Sequence, residues 1–437
     1  MDLESTRLRA YRPSGEQPWN LRRVVLLHRR AGFGADHERL ERDLADGPDL
    51  ALERMLSPPD LEQADQELEA LERHLTTSAT TTNEIKRLQA AWILRMCNSA
   101  HPLRERMTLI WHDHFATSFQ KVRSVEYMHE QNQTLRRHAL GRFGELLRAM
   151  LEDRALLVWL DAPANSKANP NENLARELLE LFTLGVGNYT ESDVRETARA
   201  LTGWSVAERR FHENREDHDD GEKTILGRTA RFRAPDVADL LLQQRATAHR
   251  LAWRLLDAFL GENVASDAEH DALASHLFES GLDLHDAVST LLRSELFFCP
   301  QNLDSRIASP VDYVVAVARG LELMRGRASS LALADWAGRL GQKLFLPPNV
   351  GGWKSGRAWI DTQAAIQRRN FAAAVASGAL CSNPDSWRSA IETKQQERGI
   401  ANWAARVLFG REGGVANEGA FEAALFATLA EPRSQIL

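Results

Sequence analysis

The sequence contains few cysteines, and they lie far apart. Cys97, Cys299 and Cys381 are the three cysteines among 437 residues. No two of them have the spacing of a CxxC motif or of a pair of metal ligands. We therefore expect neither a disulfide framework nor a cysteine-based zinc site.

Long apolar runs are also missing. No stretch approaches the roughly 20 consecutive apolar residues that a membrane-spanning helix requires. Near the N-terminus, the apolar run 24–27 is followed at once by His28, Arg29 and Arg30, so it is too short for the core of a signal peptide. The sequence therefore predicts no integral membrane segment and a cytoplasmic location.

There is no excess of positive charge. The chain has 54 Lys and Arg residues against 61 Asp and Glu residues, which gives a formal net charge of -7. A polyanion would be repelled by this overall charge unless a local basic patch compensated for it. Nucleic acid is therefore not an expected partner.

The pattern that is present is helical. Apolar residues recur with a period of 3.6 from about residue 36 to the end, and alternating strand patterns are rare apart from Thr224–Leu226. This predicts an all-α, multi-helix globular bundle. Two long loops, 205–235 and 346–360, should interrupt it, and we expect both to be ordered because long loops inside compact domains are often functional.

We divide the chain into three parts on composition. Residues 1–82 form an N-terminal helical segment and linker, because the threonine-rich stretch 76–82 predicts a turn. Residues 83–380 form the main helical domain with the polar motifs. Residues 381–437 form a C-terminal helical extension.

The first polar motif is Trp111-His112-Asp113-His114-Phe115. Projected at about 100° per residue, His114 falls inside the apolar stripe of a helix, whereas His112 lies at its edge and Asp113 on the far side. The two histidines cannot share a metal from one regular helix. The alternative is a hydrogen-bonded core histidine beside a surface histidine.

The second motif, 171–185, predicts one helix of about four turns. Pro170 and the asparagines at 171 and 173 are start signals, and Gly185 can end the helix. Glu172 and Arg176 have the i, i+4 spacing of an ion pair. A polar strip with Asn173, Glu177 and Glu180 lies beside a Leu/Phe face, and it forms either part of a site or a solvated surface.

The third motif, 218–223, places His218, carboxylates and Lys223 close together in the first long loop. A fourth segment, 346–360, combines a Pro-Pro pair, a Gly-Gly pair and the tryptophans Trp353 and Trp359. Stiff prolines, permissive glycines and aromatic surface suit either a pocket wall or a rigid loop that plugs a gap between helices. We expect this loop to be packed, with Trp353 largely buried and Gly351 or Gly352 at positive φ.

With these motifs the chain resembles the bacterial domain-of-unknown-function family numbered 1800. The matching blocks are 27–34, 111–115, 131–132, 171–185, 189–204, 218–223 and 347–353. The resemblance implies a helical domain of this size without an assigned activity. It also implies a sulfatase-like protein encoded nearby as a partner. Many members are exported, whereas this sequence shows no export signal.

Our main hypothesis is one shared site between helices, in an enzyme acting on an anionic substrate. The predicted site residues are His112, His114, Arg176, Glu177, Glu180, His218 and Lys223. The histidines and glutamates would serve as acid, base or metal ligands, and the arginine and lysine would neutralise an anionic group.

A divalent metal is part of this hypothesis. The predicted ligands are His114, Glu177, Glu180 and His218, and imidazole plus carboxylate without thiolate suits Zn, Mn or Fe. The alternative is a non-catalytic helical binding or assembly protein, in which the same residues form a buried polar network that fixes the packing.

Overall fold

The structure is a computed structural model, and it describes residues 3–59, 61–395, 398–411, 420–432 and 436. It is 65% helical with two small two-stranded sheets, which confirms the all-α prediction. Among the described residues, none of the helices combines the length and the apolar character needed to cross a membrane.

The helices follow one another along the chain with short connections. They are α1 Leu21–Gly32, α2 His37–Asp46, α3 Pro48–Leu56, α4 Leu61–Thr82, α5 Ile85–Asn98, α6 Pro102–His114, α7 Phe119–Val122, α8 Val125–Arg137, α9 Phe143–Leu151, α10 Arg154–Trp159, α11 Asn173–Glu177, α12 Glu191–Ala200, α13 Ala234–Leu242, α14 Arg245–Phe259, α15 Asp267–Glu279, α16 Leu284–Leu292, α17 Glu295–Phe298, α18 Pro310–Gly320, α19 Ser330–Arg339, α20 Thr362–Ala376, α21 Pro384–Gln395, α22 Ile400–Phe409 and α23 Phe421–Ala430.

Shorter elements complete the description. The strands are β1 Trp204–Ala207, β2 Arg210–Glu213, β3 Lys223–Ile225 and β4 Arg228–Ala230, which pair as two antiparallel hairpins, and Leu178–Thr183 is a π-helical turn after α11. The 3-10 turns are Leu3–Ser5, Ala162–Ala164, Arg215–Asp217, Pro300–Asn302, Leu323–Gly326 and Gly356–Trp359.

Two of the helical elements differ from the sequence prediction. The stretch 76–82 is not a turn but the end of α4, in which Thr80 Oγ1 donates to the Thr76 carbonyl at 3.0 Å and Thr82 Oγ1 to the Ser78 carbonyl at 2.7 Å. These bonds satisfy the hydroxyls within the helix. The expected four-turn helix at 171–185 is instead the short helix α11 followed by the π-helical turn.

The hydrophobic core consists of two clusters, and α6 lies between them. Leu103, Met107 and Trp111 belong to the cluster built mainly around α9 and α13–α16, whereas Leu109 belongs to the cluster around α5, α18, α19 and α22. Both clusters include residues from the N-terminal segment, and the second also includes α22 and α23. The division of the chain into three domains stays a prediction.

A buried carboxylate joins α6 to α5 and α8. Glu105 is fully buried and accepts hydrogen bonds from Arg136 Nε at 2.7 Å and from Trp92 Nε1 at 3.0 Å. Although burial acts to raise it, the pKa of Glu105 is lowered on balance, because Arg136 and further arginines stabilise the ionised form. The helix that carries His112 and His114 is therefore anchored at its N-terminal end by a charge pair.

We predict that Glu105→Gln lowers the free energy of unfolding by about 3–5 kcal/mol, because it leaves the Arg136 guanidinium buried without its counter-charge. Urea unfolding monitored by circular dichroism measures the change. Glu145→Gln is the control, since the Glu145 side chain is 62% exposed. Equal stability of both variants would contradict the anchoring role.

Candidate functional site

His114 is held in an aromatic cage at the C-terminal end of α6. The centroid of its ring lies 4.8 Å from that of Phe115, 5.5 Å from Trp111 and 6.0 Å from Phe182. Its Nε2 donates a hydrogen bond to the Phe182 carbonyl at 3.1 Å, and this carbonyl fixes the Nε2–H tautomer. Nδ1 therefore carries the lone pair, and the described residues offer it no hydrogen bond.

The surroundings keep this imidazole neutral. His114 is only 4% exposed. Burial, assisted by the positive charges of Arg254 and Arg250, holds the pKa of His114 well below its ordinary value of 6.5. A neutral imidazole with an unpaired Nδ1 can accept a proton or bind a metal.

His112 faces a different part of the molecule. It is fully buried rather than at the edge of the helix stripe, because the segment around Phe345 covers it. Its Nε2 accepts a hydrogen bond from the Phe345 backbone N–H at 3.1 Å, and burial lowers its pKa to about 4. His112 thus joins α6 to the chain just before the segment 346–360, which we call the Gly-Gly-Trp loop.

A cavity of about 410 Å³ opens beside His114. Its walls come from α6, α14, the segment 306–312 and the loop 349–359. The charged residues in the lining are Arg106, Asp113, Arg250, Arg254, Asp257, Arg306, Asp312 and Lys354. Five cations against three carboxylates leave a formal excess of two positive charges, although the whole chain carries -7.

Two of the cavity arginines are neutralised by carboxylates and two are not. Arg254 pairs with Asp113, and Arg106 pairs with Asp312. Arg250 Nε donates to the Leu181 carbonyl at 3.2 Å, and Arg306 donates to the carbonyls of residues 257 and 258. Within the described part of the chain, neither Arg250 nor Arg306 forms a salt bridge.

The pKa values of these two arginines reflect that difference. Burial is the largest cause that lowers the pKa of Arg250, and the neighbouring Arg254 acts in the same direction, while Asp257 and Glu180 oppose it. Burial also lowers the pKa of Arg306, against the opposing charges of Asp312 and Asp257. An anion in the cavity would supply the direct ion pair that both guanidinium groups lack.

The Gly-Gly-Trp loop forms one wall of the cavity. This position favours a role as a pocket wall over that of a rigid loop filling a gap between helices. Gly352 has a φ of 80°, as expected, and the Trp353 N–H donates to Asp113 Oδ1 at 2.8 Å. Trp353 is half-buried and lines the cavity, so it is less enclosed than expected. Asp113 therefore positions both the loop and Arg254.

The π-helical turn brings backbone carbonyls to the site. In this turn Thr183 Oγ1 donates to the Leu178 carbonyl at 2.6 Å, and the Leu184 N–H donates to the Leu179 carbonyl at 2.8 Å. The carbonyls of Leu181 and Phe182, near its end, accept from Arg250 and His114. Such turns are frequent at functional sites.

The other predicted residues of the 171–185 motif have partners of their own. Arg176 pairs with Glu172 at 3.1 Å and with Glu191 at 2.8 Å, and Glu180 accepts from the Tyr189 hydroxyl. Glu177 is partly buried, and its pKa is raised by burial and by the charge of Glu180. Glu177 is the last residue of α11 and Glu180 lies on the π-helical turn that contacts His114, but neither glutamate lines the cavity.

The two predicted site residues of the loop motif 218–223 bond to nearby backbone carbonyls. His218 Nδ1 donates to the Thr202 carbonyl at 3.1 Å, and the buried Lys223 ammonium donates to the carbonyls of Gly221, at 2.9 Å, and Asp219. Burial lowers the pKa of Lys223. In the part of the chain that the structure describes, no hydrogen bond or ion pair links His218 or Lys223 to His114.

Of the seven predicted site residues, His114 lines the cavity and the other six lie outside its lining. A metal held by His114, Glu177, Glu180 and His218 stays a prediction. The sequence hypothesis missed the cavity arginines and aspartates. The sequence could have indicated part of this set, because the i, i+4, i+7 spacing of Arg250, Arg254 and Asp257 places them on one helix face.

We predict that Gly352→Ala destabilises the loop by about 1–3 kcal/mol, because alanine is strained at positive φ. Its Cβ would also lie 2.2 Å from Asp113 Oδ1. Urea unfolding and tryptophan fluorescence measure the change. Gly351→Ala, next to it at an exposed position without positive φ, should have a smaller effect, and the reverse order would contradict the proposed packing.

Comparison with known proteins gives a family but no activity. No curated protein and no solved structure matches the chain. A family model described as "Protein of unknown function (DUF1800)" matches residues 26–435. The match covers most of the sequence, including every element of the cavity described above, and the chain therefore belongs to the DUF1800 family.

Proposed function

We propose that the protein is an enzyme that binds an anionic substrate in the arginine cavity and uses neutral His114 as a general base. The observation that carries this proposal is the pair of cavity arginines, Arg250 and Arg306, that have backbone carbonyls but no carboxylate as partners. The cavity beside them is large enough for a small ligand.

The anionic character of the substrate follows from electrostatics. A buried guanidinium is stabilised only partly by carbonyl dipoles, whereas a phosphate, sulfate or carboxylate group supplies a full charge and can accept two parallel hydrogen bonds. In a protein with a net charge of -7, a local excess of positive charge also directs anions to this opening.

The role of His114 follows from its tautomer and its environment. The Phe182 carbonyl holds the ring through Nε2–H, as an orienting partner does in many catalytic histidines. Nδ1 is then the atom that can take a proton from water or from a substrate hydroxyl. Burial, assisted by the neighbouring arginines, lowers the pKa of His114 and keeps the ring neutral, so that it can accept a proton.

A divalent metal such as Zn, Mn or Fe, held by His114 with Glu177, Glu180 and His218, remains a proposal from the sequence, although the structure does not bring three of these four side chains to within 4.8 Å of one another. Elemental analysis of the purified protein tests it directly. The proton transfer proposed for His114 does not require that metal.

A specific observation favours the second candidate, a non-catalytic binding or assembly protein. His112, His114 and His218 are all buried and each is hydrogen-bonded to the backbone. Such bonds are what a polar network that fixes helix packing would show. In that case the cavity would bind an anion without turning it over.

We predict that Arg250→Gln and Arg306→Gln each weaken the binding of inorganic phosphate by roughly 10–100-fold, the range for losing a hydrogen bond to a charged group. Isothermal titration calorimetry on the full chain measures the affinity. Arg148→Gln is the control, because Arg148 is an exposed arginine that pairs with Asp239 outside the cavity. Unchanged phosphate affinity in both cavity variants would refute the anion site.

We predict that His114→Gln abolishes hydrolysis of aryl phosphate or aryl sulfate monoesters while the melting temperature stays close to that of the wild type. Glutamine keeps an amide donor for the Phe182 carbonyl but cannot act as the base. The wild-type rate should stay constant as the pH falls through 6.5, the ordinary pKa of histidine, and decline only at lower pH.

The control for this variant is His129→Gln, which removes another histidine with a depressed pKa, lining a different cavity. A loss of roughly 1–3 kcal/mol of stability in His114→Gln, the range for a buried group left without its partner, would favour the binding protein. So would phosphate affinity without turnover of any ester.

A further inference from the structure

A second set of chemistry-bearing side chains lies on the adjacent helices α14 and α15, outside the cavity. His249, His270 and Asp271 each offer one ligand atom, and these atoms all lie within 4.8 Å of one another. His249 Nδ1 is 3.6 Å and His270 Nδ1 is 3.8 Å from Asp271 Oδ1. No other set of this kind occurs among the described residues.

The hydrogen bonding of His270 points its lone pair at this cluster. His270 Nε2 donates to the His249 carbonyl at 2.9 Å. Because a carbonyl only accepts, Nε2 carries the hydrogen and Nδ1 of the neutral ring carries the lone pair. This Nδ1 lies 3.8 Å from Asp271 Oδ1, which is also an acceptor, so a proton or a cation between the two atoms would relieve their repulsion.

This arrangement is the one that metal-binding histidines use. Such histidines donate the second ring N–H to a carbonyl or a carboxylate, which fixes the tautomer and the orientation of the ring. Ligand atoms about 2.0–2.2 Å from a tetrahedral metal lie roughly 3.3–3.6 Å apart. The distance from His249 Nδ1 to Asp271 Oδ1, 3.6 Å, lies at the upper limit of this range, and the distance from His270 Nδ1, 3.8 Å, lies slightly above it.

We propose that His249, His270 and Asp271 bind one divalent transition-metal ion of the zinc class. Two imidazoles and a carboxylate without thiolate suit Zn²⁺ and its neighbours rather than Ca²⁺ or Mg²⁺. Three protein ligands leave a fourth position for water or for an external group. The cluster is partly exposed, so the ion can enter directly from solvent.

This site differs from the metal predicted at His114 and does not depend on the proposed function. The ion would connect α14 to α15. Because α14 also carries Arg250, Arg254 and Asp257, which line the cavity, the ion would fix the helix that supplies much of the cavity charge.

The test is calorimetric titration of Zn²⁺ into the full chain after removal of metal with a chelator. The wild type should bind one equivalent at this site. His270→Ala and Asp271→Asn should each lose at least about tenfold in affinity, as loss of a group at a metal site does. Because the ligand imidazoles must be neutral, binding should weaken as the pH is lowered.

His276→Ala is the matched control, since His276 lies on the same helix and its partners among the described residues are Asp286, at 2.8 Å, and Thr290. It should keep the wild-type affinity. Asp271 is exposed, so Asp271→Asn decides the outcome even if a histidine variant misfolds. Absence of Zn²⁺ binding by the wild type, or equal affinity in Asp271→Asn and the wild type, would overturn the proposal.

Discussion

Buried arginines that donate to backbone carbonyls are the interaction on which this structure depends. Arg319 connects three segments by donating to the carbonyls of Gly34, Met96 and Cys97. Arg30 makes similar bonds to the carbonyls of Phe259 and Asn302. Helix ends present carbonyls that have no partner within the helix, and a guanidinium with five N–H groups can satisfy several of them at once.

The same interaction is the basis for proposing an anion site in the cavity. Carbonyl dipoles satisfy the hydrogen-bonding needs of a guanidinium, but they do not cancel its charge. Where a buried arginine also meets a carboxylate, as Arg106 meets Asp312, the charge is balanced. Arg250 and Arg306 have the carbonyls without the carboxylate, and they line an open cavity. Both side chains are half-buried, and a ligand that brings a negative charge would pair with them.

The helical fold could be predicted because it rests on a periodic apolar pattern, and the inward position of His114 followed from the same projection. The elements that were missed depend on tertiary contacts. The hairpin β1–β2 turns through Glu208 and Arg209, both at positive φ, where the usual sequence signal would be Asn-Gly. The local sequence therefore does not predict that turn. The π-helical turn and the burial of His112 likewise arise from what packs against α6.

Of the predicted site residues, only His114 lines the candidate cavity. The sequence hypothesis combined polar residues that are close together in the sequence. In the structure, Arg176 forms an ion pair and Lys223 a hydrogen bond with partners in their own segments. The cavity instead joins residues from distant segments, such as Arg254 and Arg306, whose meeting depends on how whole helices pack. A sequence pattern can place a charge on a helix face, but it cannot say which distant charge lies opposite.

Asp113 shows how the parts of the site depend on one another. One carboxylate oxygen accepts the Trp353 N–H of the loop, and the other accepts a hydrogen bond from Arg254 on α14. Gly352 is required because any side chain there would collide with this carboxylate. A ligand that attracts Arg254 competes with Asp113 for it, while the loop still holds the other oxygen. The Asp113 carboxylate would thus limit how far Arg254 can move toward a bound anion, and it connects the loop to α14.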